Sequence, residues 1–148
     1  MPEIELDAID RRILDRLQRN GRMSNVDLAK EVGLSPSPCL RRIRDLESSG
    51  VIDRYAAVLD QSAVGLSLSV FVQVTLERQI ESALETFERI VAGRPEVMEC
   101  YLMTGDADYL LRVVVADVLA YEQFLKNHLT RIPGVASIKS SFALNRVK

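Results

Sequence analysis

The chain has no tryptophan, one histidine and two cysteines among its 148 residues. It also lacks any sizeable net charge, because 19 lysines and arginines stand against 21 acids, a formal −2. Each shortage excludes something. His128, Cys39 and Cys100 are too few and too scattered for a zinc site of ordinary ligand spacing, so the cysteines read as reduced packing residues. The near-neutral balance argues against a protein that coats nucleic acid through bulk charge. No apolar run approaches the ~18 residues of a membrane span, which predicts no membrane partner. The opening MPEIELDAIDRR is acidic and has no apolar signal core, so the expected location is cytoplasmic. There is no glycine-rich phosphate loop, metal-ligand cluster or recognisable nucleophile–base pair. The expectation is therefore a protein that is not an enzyme and has no metal or cofactor. His128, beside Leu129 on a predicted helix, reads as a packing or surface residue.

What is present is concentrated. Between Glu31 and Asp45 there is no acid, while Arg41, Arg42 and Arg44 fall within four positions. Screening limits a phosphate's view to ~8–10 Å, so such a patch matters more than the total charge. The surrounding pattern is that of three short helices. Leu6, Ile9, Ile13 and Leu17 recur at helical spacing behind a candidate N-cap, Asp7, and Asn20-Gly21 ends the run. Ser24 is read as the cap of a second helix with Val26, Leu28, Ala29 and Val32 on its apolar face, and Gly33 makes the turn. Ser35 is read as the cap of a third, with Pro36 at its first position. On that helix Cys39, Ile43 and Leu46 share one face. Ser37, Arg41, Arg44 and Ser48 lie roughly 140–200° away from Cys39, and Arg42 lies on a flank. A solvated basic face would explain the arginines alone. The caps, the glycine turn and the bracing helix together describe a helix-turn-helix whose second helix enters the DNA major groove. The expected DNA-contacting residues are Ser35, Ser37, Pro38, Arg41, Arg42, Arg44 and Arg54, with Arg41 and Arg44 on bases or phosphates and Arg42 and Arg54 on phosphates.

From Val51 the period changes. Ile52 to Leu59 is a β-type run that reads as a link between two domains. Leu66 to Leu76 alternates with period two. Helical spacing from Ile80 to Val91, strands at 97–104 and 109–116, a second helix from Val118 to Leu129 stopped by Pro133-Gly134, and a final strand from Val135 to Val147 complete the order β-α-β-β-α-β. This is a ferredoxin-like unit, and the class is α+β. The expected domains are residues 1–51, a linker strand and loop at 52–64, and residues 65–148. In that topology both helices cover one sheet face. The strand YLLRVVVA is apolar on both sides, so its second face needs another cover, and a sheet-to-sheet homodimer is expected. The segment GDADYLL allows two readings. Gly and Asp make a tight turn. The same residues offer carboxylates and free backbone N–H groups to an amino acid.

These motifs resemble the Lrp/AsnC family of leucine-responsive and asparagine-responsive regulators, also called feast/famine regulatory proteins. The resemblance is carried by LDAIDRRIL at 6–14, NGRMSNVDLAKEVGLSPSPCLRRIRDLESSGVI at 20–52, ECYLMTGDADYLLRV at 99–113 and RIPGV at 131–135. It implies a winged N-terminal helix-turn-helix, a C-terminal effector-sensing domain, and dimers assembling into octamers or similar rings. It places an amino-acid effector near the second turn, with Tyr101, Leu102, Met103, Thr104, Gly105, Asp106 and Asp108 as candidates, and Leu102 or Met103 beside an apolar side chain such as that of leucine or methionine. The implied function is a sequence-specific, effector-responsive transcription regulator associated with the nucleoid. The alternative is an architectural nucleoid protein with no effector response.

Overall fold

The computed structural model describes residues 4–148. The chain divides into two compact units, Met1–Val58 and Leu59–Lys148, and the division falls inside the segment read as a linker.

The first unit contains three helices: α1 (Ala8–Arg19), α2 (Asn25–Val32) and α3 (Pro36–Ser48). Asp7 caps α1 as expected. Its Oδ1 accepts the amides of Ile9 and Asp10, and Asp10 Oδ2 accepts the amide of Asp7 in return. This reciprocal box satisfies donors that a helix start otherwise leaves open. Gly33 sits at φ 75°, the left-handed conformation that favours glycine at a helix end. The core holds Ile13, Leu28, Ala29, Val32, Cys39 and Leu46. Val26 differs from its expected place and is half exposed, because it lies about 200° round the helix from Leu28. Residues 52–59, expected as a strand, carry no strand assignment. A strand needs a ladder partner, and the described residues of this unit supply none.

The second unit contains β1 (Leu68–Leu76), α4 (Glu81–Ala92), β2 (Val97–Leu102), β3 (Tyr109–Val115), α5 (Val118–Asn127), a short 3-10 turn (Leu129–Arg131) and β4 (Val135–Phe142). The strands form one antiparallel sheet in the order β2-β3-β1-β4, the arrangement of a ferredoxin-like fold. β4 stops at Phe142, short of the expected Val147. Phe142 pairs with Val70, and β1 has only two further residues with which to continue the ladder.

Burial follows the pleat. Val70, Val72, Val74 and Leu76 of β1 and Tyr109, Leu111, Val113 and Val115 of β3 point to the helices and join Phe87, Val91, Tyr121 and Phe124 in one core. The alternate positions form the other face, which neither α4 nor α5 covers. There Phe71 and Tyr101 are exposed, Leu110 is half-buried, and Arg112 pairs with Glu99 at 3.4 Å.

Candidate DNA interface and effector site

The outer face of α3 is built by the burial of its inner face. Cys39 and Leu46 are buried and Ile43 is half-buried, which leaves Ser37, Arg41, Arg44 and Ser48 exposed. Burial also pushes the Cys39 thiol above its ordinary range, as expected of a packing cysteine. Arg41 and Arg44 take part in none of the ion pairs among the described residues. Ser35 stands at the N-cap position, but its hydroxyl makes no capping bond. The N3 residue is Pro38, which has no N–H to give, so the expected side-chain cap loses its usual donor. Ser35 and Ser37 are exposed at the helix start, with Pro38 half-buried in the first turn of α3.

Two residues that pattern reading passed over hold this helix in place. Asn25 Nδ2 donates to the Pro36 carbonyl at 2.8 Å and ties the start of α2 to the start of α3. Asp10, with Asp7, engages Arg42. Arg42, an expected phosphate contact, donates from Nη1 to Asp7 Oδ2 at 2.7 Å and to Asp10 Oδ1 at 2.9 Å. Its flank position, visible in the helical angle, carries it towards α1 instead of outward. Arg54 is exposed and pairs with its neighbour Asp53 at 2.7 Å.

In the second unit the seven effector candidates surround one end of β2 and the turn into β3. Gly105 has φ 108°, and a side chain there would meet open space, so backbone conformation alone demands glycine. Thr104, Gly105 and Asp106 are exposed. The turn is fastened at its root. The Met103 amide donates to the Asp108 carbonyl at 2.8 Å and the Asp108 amide to the Val74 carbonyl at 2.9 Å. Asp108 Oδ2 accepts the Leu76 amide at 2.7 Å and Gln79 Nε2 at 3.1 Å. One oxygen of this carboxylate is therefore already used by the fold.

The candidates do not converge on one enclosed pocket within a single chain. Tyr101 pairs with Leu110 and lies on the uncovered face, while Leu102 pairs with Tyr109 and lies on the helix side. There Leu102 borders a groove of about 540 Å³ whose other walls include Glu88, Val91, Val97, Cys100 and Tyr109. The Tyr109 hydroxyl donates to Glu88 Oε1 at 2.6 Å, and burial together with that carboxylate pushes the phenol far above its ordinary range. Cys100, expected as packing, lies exposed on the edge strand β2, with its thiol raised to about 11 by burial and then by Glu88. His128 is half-buried against Phe124, with ring centroids 6.1 Å apart, in a packing role.

A three-helix head with an outward arginine row, joined in one chain to a ferredoxin-like unit with an exposed, glycine-shaped turn, defines a DNA-binding regulator with a ligand-sensing domain. Residues 6–53 match the winged helix-turn-helix DNA-binding family, and residues 69–148 match the Lrp/AsnC ligand binding domain. The chain belongs to the Lrp/AsnC family of transcription regulators. It is 54% identical over 143 residues to the Bkd operon transcriptional regulator of Pseudomonas aeruginosa, covering 97% of this chain and 94% of that one. It is 46% identical over 147 residues to the leucine-responsive regulatory protein of Escherichia coli K12, covering 99% and 90%. A Neisseria meningitidis transcriptional regulator solved with L-Met superposes with a TM-score of 0.93 at 42% identity, covering 97% of this chain and 93% of that chain. An AsnC family regulator from Agrobacterium tumefaciens gives 0.92 at 43% identity, with the same coverage. The expected fold class and family are thereby borne out.

Proposed function

We propose that this regulator reads double-stranded DNA with the exposed face of α3 and adjusts that binding to a small amino acid held near the β2–β3 turn. The observation that carries the DNA half is the row Ser37, Arg41 and Arg44, which the core of the head turns outward. Guanidinium groups so placed reach guanine edges bidentately or phosphates singly. Ser35 and Pro38 approach the backbone at the helix start, and Arg54 adds a phosphate contact from beyond α3. The effector half is supported by the exposed turn at Gly105, by Asp106, and by the Neisseria relative solved with L-Met. Met103 and Leu102 are exposed apolar neighbours of that turn and suit a leucine or methionine side chain.

The uncovered sheet face supports the homodimer. Phe71 on the central strand β1 and Tyr101 on the edge strand β2 are exposed on it, and exposed apolar surface of this kind marks an interaction site. Dimers place two α3 helices for half-sites about one DNA turn apart. The effector site, open in one chain, is then completed by a further copy in an octamer or similar ring. An effector acts by binding two assemblies unequally, which shifts their populations and the spacing of the DNA-binding heads. The proposed setting is the cytoplasm, on the nucleoid, with no enzymatic turnover.

The test is selection of genomic DNA by the purified protein, repeated with each of the twenty amino acids. Recovery of a defined sequence whose yield changes with leucine or methionine is the expected result. Recovery of unselected DNA, unchanged by every amino acid, would replace this reading with an architectural role.

A further inference from the structure

The geometry points to Arg42 as a positioning residue that orients the DNA-reading helix through Asp7 and Asp10, without itself touching DNA. This inference rests on the reading of α3 as the helix that meets DNA. Its basis is a division of labour between four carboxylate oxygens. Asp7 Oδ1 caps α1 by accepting the Ile9 and Asp10 amides, and Asp10 Oδ2 accepts the Asp7 amide. The two remaining oxygens, Asp7 Oδ2 and Asp10 Oδ1, both receive Arg42 Nη1. The capping box therefore fixes both acceptors before Arg42 arrives, so little side-chain freedom is lost when the pair forms. The result joins residue 42, in the middle of α3, to the first turn of α1, 32 and 35 positions away.

Exposure separates Arg42 from its neighbours. Its side chain is 29% exposed and that of Asp10 is 16%, whereas Arg41 and Arg44 are exposed and without a carboxylate partner among the described residues. A phosphate approaching Arg42 meets one guanidinium and two carboxylates, a local charge of −1. The groove beside Arg42 is lined by the acids Glu5, Asp10 and Asp45, together with Arg41. Phosphate meets this acidic surround at Arg42, whereas Arg44 lies about 160° round the helix from it. Arg42 thus does its work on the protein side of α3. It holds the helix at the angle from which Arg41 and Arg44 project.

The test uses a duplex selected by the wild-type protein and measures affinity across a range of salt. Each phosphate contact adds about 0.9 to the slope of log K against log salt. For Arg42→Gln the expected result is affinity about fivefold lower with the slope unchanged. For Asp10→Asn, where the amide oxygen can still accept the Asp7 amide, affinity falls in the same direction although a negative charge has been removed. The double variant is no weaker than Arg42→Gln alone, since both act on one interaction. A slope lower by about one in Arg42→Gln, or tighter binding in Asp10→Asn, overturns the proposal, because either result shows a guanidinium that the carboxylates were holding back from phosphate. If Arg42→Gln does not fold, the sign of the Asp10→Asn change decides. Failure of Arg41→Ala to weaken binding would count against the reading of α3 itself, which separates the two failures.

Discussion

The carboxylate of Asp108 accepts the backbone amide of Leu76 at 2.7 Å, from a residue 32 positions away, and so fastens the end of β1 to the root of the β2–β3 turn. This single bond gives Asp108 a structural duty beside the proposed ligand-binding one, and two substitutions separate them. Asp108→Ala leaves a half-buried amide without its acceptor and should cost about 1–3 kcal/mol of stability by chemical denaturation. Asp108→Asn retains an oxygen for Leu76 but loses the charge that an ammonium group needs. It should fold with near wild-type stability and bind its amino acid roughly tenfold more weakly in calorimetry. Equal amino-acid binding by Asp108→Asn and wild type would leave Asp108 with the structural duty alone.

Cys100 should be a sluggish nucleophile despite its exposed position. Burial of its sulfur and the nearby Glu88 charge raise the thiol to about 11, against about 8.5 for a free cysteine. Since the thiolate is the reacting form, alkylation of the native protein at pH 8 should be far slower than that of a model thiol and should climb through pH 11. Glu88→Gln should quicken it. Rapid labelling at pH 8 would contradict the assigned environment. Cys39, buried in the head, should remain protected throughout.

The head should lose stability in acid through Asp7. The Asp10 amide first, and then Arg42, hold the Asp7 carboxyl below its ordinary value. A carboxyl lowered by folding stabilises the folded state fully above its unfolded pKa of about 4, and that contribution disappears as pH falls through the lower, folded value. Thermal melting between pH 6 and pH 2 should therefore show the head weakening below about pH 4. Asp7→Asn should flatten that part of the profile. An unchanged profile in Asp7→Asn would remove this residue as the source.

Local patterns carried most of the architecture. Asp7, Gly33 and the 3.6-residue spacing of α1 to α3 depend on neighbours a few positions away, and so does the period-two alternation of β1. These features follow from short-range sequence alone. What local pattern leaves open lies where a distant partner decides. Residues 52–59 have strand-forming side chains, but in one chain they find no ladder to join. Ser35 has the right chemistry for a cap, but Pro38 removes the donor. Arg42 carries the same charge as Arg41, yet a rotation of about 100° brings it to two carboxylates at the start of α1. The effector candidates came from similarity to relatives. Their division between two sheet faces, with Tyr101 on one and Leu102 on the other, required the strand register.

The central claim is that Arg41 and Arg44 on α3 carry sequence recognition. Its most direct test is the ratio of affinities for a selected duplex and for an unrelated duplex at fixed salt, measured in the wild type and in a variant with Arg41→Ala and Arg44→Ala. Each lost base contact should remove ~1–3 kcal/mol of discrimination, so the ratio should collapse by at least about tenfold while the circular dichroism and melting temperature stay near wild type. A folded double variant that keeps the full ratio would show that recognition resides elsewhere on the molecule.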